Sequence, residues 1–375
     1  MTTVDVVDPL TVRINTTAPF APLLATLADR AGMMVAPDVA KKLGDKFATA
    51  PVCAGPFKFV ERVAQDRIVL DKYDGYWNKD AIHFNRIIFK PFTDATVRLA
   101  NLRSGQLDMI ERLAATDVPS VKKDKSLKFA SITEIGYYGI DINIGHGDKS
   151  KSPIGSSEKI REAFELSLDR EGINKAVFDG LATPGNQWVA PTNPNYVKEF
   201  PIPKRNIAKA KELLKEAGNT HPVVNLVTPT TTDARNIAQV VQAMAKDAGF
   251  DVRIQATEFA TSLNMADKGD FEAYILAWSG RADPDGNLYS FYACHAPLNY
   301  PGTCNPALDE ALKDSRLTTD IGERRKAWAR AAGIIMAERP IIYLLHRKWL
   351  WAYSTKLTGF SPYPDGLVRF QGMKL

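Results

Sequence analysis

The sequence predicts an α/β protein of at least two lobes, and three observations carry that expectation. At 375 residues the chain exceeds one ordinary domain. Its first third alternates apolar and polar residues in the manner of hairpins. From about residue 140 onward, short apolar runs of strand length alternate with segments of helical period, the signature of an α/β sheet.

Taken in order, Val4 to Ile14 alternates like a strand, and an apolar helix pattern follows from Phe20 to Ala31. Pro37 opens a short helix that Gly44 ends. Phe57–Val63 and Arg67–Tyr73 read as a hairpin turning at Ala64-Gln65-Asp66, and Ile87–Lys90 as a further strand. A helix from Asp94 to Arg103 stops at Gly105, and 106–110 gives a short strand. The segment Gly136–Asn143 reads as a strand leaving one unit and entering the next. Helices follow at Lys159–Leu168 (capped by Ser156 or Ser157), Asn206–Ala217 and Ala234–Ala248, with Gly218 and Gly249 stopping the last two. Strands are expected at 223–227, 251–255, 273–278 and 340–346. Asn305-Pro306 opens one helix, and another covers Glu323 to Glu338. The tail with Gly359, Pro362 and Pro364 is polar. Two strands crossing between lobes, near 136–143 and 341–350, would form a hinge. The expected divisions are 1–50 as accessory remnant and entry, 51–139 as lobe one, 140–344 as lobe two, and 345–375 as a return to lobe one.

Composition narrows the function. Hydrophobic residues make up 45% and charged ones 24%, ordinary for a globular chain. The net charge of +5 is spread without a basic run, and Lys122-Lys123-Asp124-Lys125 reads as a solvated helix end rather than a nucleic-acid patch. No apolar segment has the length to span a bilayer. Met1 does not begin a secretion signal and the opening reads as mid-domain, which fits either a cytosolic protein or a chain whose natural start has been removed. His83, His146, His221, His295 and His346 show no metal-ligand spacing, so a protein-built metal site is not expected, while a bound metal chelate stays open; no cofactor is expected. Neither a Gly-rich phosphate loop nor a GxSxG elbow is present, and nothing joins a nucleophile to a base. An enzyme is therefore not expected.

The stretch richest in chemistry is 273–287. An apolar strand ends at Trp278, and Ser279-Gly280-Arg281-Ala282-Asp283-Pro284-Asp285 follows at once. Ligands of open α/β sheets bind where strands end, and this end carries an indole, a guanidinium and two carboxylates. Each has a plainer reading. Trp278 can be core, Arg281 can bridge to Asp283 or Asp285 across its own turn, and Asp283 can fix the turn through its own backbone. Tyr138 and Asn143, on the crossing strand, are further candidates for the ligand pocket, with packing as the alternative for Tyr138. Cys294 and Cys304 bracket a loop of turn formers, which leaves a disulfide and a pair of thiols both open; Cys53 stands apart.

The ordered set of short motifs resembles the extracytoplasmic solute-binding proteins of family 5, receptors of ABC importers for dipeptides, oligopeptides and nickel. The matching residues include Gly55-Pro56-Phe57, Tyr73-Asp74-Gly75-Tyr76-Trp77, Thr93–Arg98 leading into Leu102–Asp108, Ile160–Phe164 with Asp169-Arg170, Ala208–Gly218, and Trp278 with Asp283-Pro284-Asp285. The resemblance implies a two-lobed fold like the type II periplasmic binding proteins (cluster C), with the first lobe incomplete because family members extend further at the N-terminus and begin with a secretion signal. It implies a monomer in the periplasm that captures a peptide-like or small carboxylate-bearing solute and delivers it to an inner-membrane ABC permease. Nucleic acid is not an expected partner. A Cys294–Cys304 disulfide is also implied, with Cys53 buried or paired outside this chain. Peptide receptors of the family commonly carry an Asp three residues after the tryptophan, for the ligand's amino group. Arg281 stands there instead, which favours a carboxylate. A peptide hydrolase and a periplasmic chaperone using the same cleft are the competing classes.

Overall fold

The computed structural model describes residues 3–375. Its centre is a six-stranded sheet in the order Asp251–Thr257, Val223–Pro229, Ala273–Trp278, Tyr137–Ile142, Ile341–His346 and Thr183–Pro184. The first three run parallel, while Tyr137–Ile142 lies antiparallel to both of its neighbours. Every residue of Tyr137–Ile142 and of Ile341–His346 is buried, as expected for strands covered on both faces. Side chains alternate between those faces. Ile140, Ile142 and Ile275 join the core under the helices Glu158–Ser167, Arg170–Phe178, Ile207–Glu216 and Thr232–Lys246. Tyr137, Tyr274 and Leu276 join a second core under Asp285–Tyr292, Pro306–Leu317 and Ile321–Glu338.

Local chemistry sets the helix ends. The Asn305 side-chain oxygen Oδ1 accepts from the Ala307 and Leu308 amides, and Pro306 fills the first turn. Asp94 caps Ala95–Arg103 in the same way. Two expectations for the opening segment change. The alternating run 4–14 is not one strand but a pair, Thr3–Asp8 and Thr11–Asn15. Pro9 and a bond from the Leu10 amide to the Asp8 carboxylate turn the chain between them. The helical pattern at 20–31 yields only Leu23–Leu27 and a single tight turn at Arg30–Gly32, where Gly32 lies too close to the Leu27 carbonyl for any side chain.

Two three-stranded sheets complete the framework: Met109–Ile110, Lys348–Ser354 and Leu127–Thr133 in one, Phe57–Val63, Arg67–Lys72 and Arg86–Phe89 in the other. The chain passes between the six-stranded sheet and the first of these twice, through 134–136 and through Arg347. There the Glu134 amide donates to the Arg347 carbonyl (3.1 Å), and the Glu134 carboxylate takes the Arg347 amide (3.2 Å) and Nε (2.6 Å). Both side chains are withdrawn from water, at 0% and 5% exposure. His346 is buried beside them, its Nδ1 bonded to the Gly136 carbonyl (2.7 Å), and burial pulls its pKa down to about 4.

One residue breaks the apolar pattern of the sheet. Asp141 lies between Tyr274 and Ile341 and is fully buried, and neither carboxylate oxygen has a hydrogen-bond partner. Desolvation lifts its pKa to about 8, so at neutral pH it carries a proton.

Cys294 and Cys304 form a disulfide. Cys53 is a free thiol, exposed rather than buried as expected, because its segment pairs only with Val35 through a single bridge. Closing this short loop contributes about 3 kcal/mol in the chain-entropy model. Unreduced protein should therefore titrate as one thiol both native and unfolded; three thiols on unfolding would exclude the bridge.

Candidate functional site

The strand Ala273–Trp278 ends where the chain crosses between sheets, and glycine makes that meeting possible. Gly280 has φ +82°, and a side chain on it would strike the Ile135 carbonyl; one on Gly136 would strike the Trp278 carbonyl. Ile135 and Gly280 form a parallel bridge. The strand end is thus held against the crossing segment backbone to backbone.

Trp278 is half-buried. Its ring packs edge-on against Phe291, with centroids 4.9 Å apart, and its Nε1 donates to the Asn287 side-chain oxygen (2.8 Å). That same oxygen accepts from the Arg281 amide (2.8 Å), so one asparagine fixes both residues. The Arg281 guanidinium lies 4.3 Å from the centre of a Trp278 ring, donates Nη1 to the Gly280 carbonyl (2.8 Å), and pairs through Nε with Asp29 at 2.5 Å. Burial lowers the Arg281 pKa, opposed by the Asp29 carboxylate and reinforced by the Arg30 charge. A quarter of the side chain still reaches solvent.

Neither Asp283 nor Asp285 pairs with Arg281. Asp283 takes a two-pronged contact from Arg324 (2.7 and 2.8 Å) and also accepts the Asp285 amide (2.9 Å). Asp285 takes the equivalent fork from Arg316 (2.6 and 2.9 Å). Both carboxylates are thereby committed to fastening the strand end to the helices Pro306–Leu317 and Ile321–Glu338.

The other two residues singled out from the sequence lie elsewhere. Tyr138 pairs with Ala277 across the sheet while Tyr137 pairs with Trp278, so Tyr138 and Trp278 face opposite sides. Asn143 follows the far end of the same strand, about 16 Å along it from Tyr138. Its amide group bonds the main chain of His146, Gly269 and Phe271 and is fully buried. It ties loops together within the sheet's distal edge.

Around Tyr138 is a second cluster. Arg347 Nη1 donates to the Tyr138 hydroxyl (3.2 Å), and its guanidinium stacks over Trp349 at 4.6 Å. Arg112 approaches the same indole at 5.5 Å. The repulsion of Arg347, then burial, lowers the Arg112 pKa. Arg112, Arg347 and Trp349 line a small cleft together with Asp233 and Phe178. Arg112 and Arg347 were not singled out from the sequence. The signals were a charged pair, Glu111-Arg112, at the end of a strand, and His346-Arg347-Lys348 interrupting an apolar run.

Residues 1–298 match the family model described as bacterial extracellular solute-binding proteins, family 5 Middle. The chain belongs to that family. The glutathione-binding protein GsiB of Pectobacterium atrosepticum is 27% identical to this family 5 chain over 384 residues, covering 99% of the chain and 73% of that protein. The dipeptide-binding protein of Escherichia coli is 25% identical, covering 98% and 70% respectively. Among solved structures, the periplasmic binding protein DppA of Helicobacter pylori, in complex with the peptide STSA, superposes with a TM-score of 0.88 at 24% identity over 100% of this chain and 74% of that one. NikA of Staphylococcus aureus, in complex with Ni(L-His)2, gives 0.89 at 21% identity over 99% and 78%. The fold is that of the type II periplasmic binding proteins. The family is described as extracellular, and the Helicobacter pylori protein as associated with an ABC transporter. No helix among the described residues is long and apolar enough to cross a membrane.

Proposed function

We propose that this family 5 chain is the periplasmic, monomeric capture component of an ABC importer. It takes a peptide-like or small carboxylate-bearing solute at the hinge edge of the six-stranded sheet and hands it to the membrane permease. The observation that carries this reading is the Arg281 guanidinium, stacked on Trp278 at a strand end with a carboxylate already against it. The Asp29 carboxylate stands where a solute's carboxylate would bind. A guanidinium in partly dry surroundings holds a carboxylate through charge-assisted bonds, and it repels the ammonium end of a peptide. Relatives that bind glutathione and dipeptides are consistent with a solute of this kind. Closure of two lobes follows the ligand's greater affinity for the closed state.

The test is a thermal-shift screen of acidic peptides, glutathione conjugates and small carboxylates. A solute at a hundred times its dissociation constant adds about 2.7 kcal/mol to folding stability, a readily measured rise in melting temperature. Arg281→Ala should weaken the hit by about 2–5 kcal/mol, with Arg281→Lys recovering only part. Binding by Arg281→Ala equal to the parent would remove the guanidinium from the site. Turnover of a peptide library would favour a hydrolase, and retention of unfolded clients without solute preference would favour a chaperone.

A further inference from the structure

The disulfide loop carries a feature unrelated to solute capture. The ligand-capable atoms of Cys294, His295 and Cys304 all lie within 4.8 Å of one another, and His295 and Cys304 are exposed. His295 holds φ +59°, a backbone region that side-chain-bearing residues seldom adopt, directly beside the first sulfur. The loop is built from the inside: the Asn299 side chain bonds the carbonyls of Ala293 and Thr303 (3.0 and 2.7 Å) and accepts the Thr303 amide (3.1 Å). The Cys294 amide donates to Asp309 (2.9 Å). The residues flanking both cysteines are therefore positioned by bonds other than the disulfide itself.

We infer that the reduced form of this loop is a binding site for a thiophilic d10 cation, zinc(II) or copper(I), held by the two thiolates and the His295 imidazole. The chemistry balances with a small thiol as reductant. Two thiol molecules form their own disulfide as the Cys294–Cys304 bond breaks, and each cysteine sulfur takes one proton. The cation then displaces those two protons, because thiolates and not thiols are ligands. Tetrahedral zinc with bonds of about 2.3 Å to sulfur needs its two sulfurs about 3.8 Å apart, a modest separation once the bridge opens. Water completes the fourth position. Cation and disulfide are alternative occupants of one loop, so metal binding here reports the thiol state. Spacing along the chain conceals the trio, since ten residues separate the cysteines and the imidazole is adjacent to one of them.

The experiment uses the Cys53→Ser protein, which removes the exposed thiol, in disulfide and reduced forms, with zinc as probe and a chromophoric chelator in competition. Reduced protein should bind one equivalent of zinc and show a rise in melting temperature; the disulfide form should bind none. Cadmium should produce a thiolate charge-transfer band in the ultraviolet. His295→Ala should weaken zinc at least tenfold, and Cys294→Ser/Cys304→Ser should abolish it. If reduction unfolds the chain, zinc must restore the circular dichroism of the folded state. Zinc binding to the reduced protein no tighter than to the double serine variant, no effect of His295→Ala, or failure of zinc to restore a lost fold each overturns the assignment.

Discussion

Asp141→Asn should raise stability by about 4 kcal/mol at pH 7. The carboxyl titrates near the ordinary 3.8 when unfolded and at about 8 in the folded protein. Each unit of pH between those values therefore costs the wild type about 1.4 kcal/mol, as the unfolded state gains a favourable ionisation that the folded state lacks. The amide keeps the shape and neutrality of the protonated carboxyl and its unpaired burial, without that pH-dependent cost. The two proteins should thus be nearly equal at pH 4 and diverge as pH rises. His346 acts with the opposite sign. Its folded pKa of about 4 lies below the ordinary 6.5, so its contribution is present above 6.5 and fades as pH falls towards 4. From these two groups the wild type should be flat between pH 4 and 6.5 and lose about 2 kcal/mol from 6.5 to 8. The Asn variant should gain stability up to 6.5 and then level off. Urea melts across this range read both profiles, and parallel curves for the two proteins would mean that Asp141 is ionised inside the sheet.

Glu134→Ala should cost about 3–5 kcal/mol, because it leaves the Arg347 guanidinium buried at the crossing without its counter-charge. The Tyr138 hydroxyl and the Trp349 ring remain beside it but cannot replace a carboxylate. Replacing both partners with apolar residues, as in Glu134→Leu/Arg347→Met, should recover most of the loss, since two desolvated charges are removed together. Chemical denaturation of the single and double variants decides the matter. A double variant as unstable as the single one would show that the side chains fill space at the crossing rather than balance charge.

Much of the framework was legible in the sequence, and the failures have physical causes. Caps and stops were readable wherever a local side chain does the work, as at Asp94, Asn305-Pro306, Gly218 and Gly249. The helix Asp285–Tyr292 was not, because Asp-Pro-Asp-Gly has turn composition and a fork from Arg316, thirty-one residues on, anchors its first turn. The strand Lys348–Ser354 was hidden because Arg347-Lys348 breaks an apolar run. That break is the crossing point, where charge is required. In the candidate site, the link between Trp278 and Arg281 follows from their closeness in sequence. The separation of Tyr138 from Trp278 needed the cross-strand register, and Asp29 as the partner of Arg281 lies some 250 residues upstream, beyond any local pattern.

The arginine forks on Asp283 and Asp285 have an electrostatic consequence for the strand end. Read alone, residues 281–285 carry more negative than positive charge. With Arg324 and Arg316 in place, the two carboxylates are neutralised and the guanidinium of Arg281 is left in excess, facing an Asp29 that it shares with Arg30. Four cations then meet three anions. On the proposed reading, a monoanionic group that takes Arg281 while Asp29 stays with Arg30 brings the cluster to parity. A neutral solute would leave an uncompensated guanidinium beside the indole, and a doubly charged group would overshoot. On that reading the site would select by valence before it selects by shape.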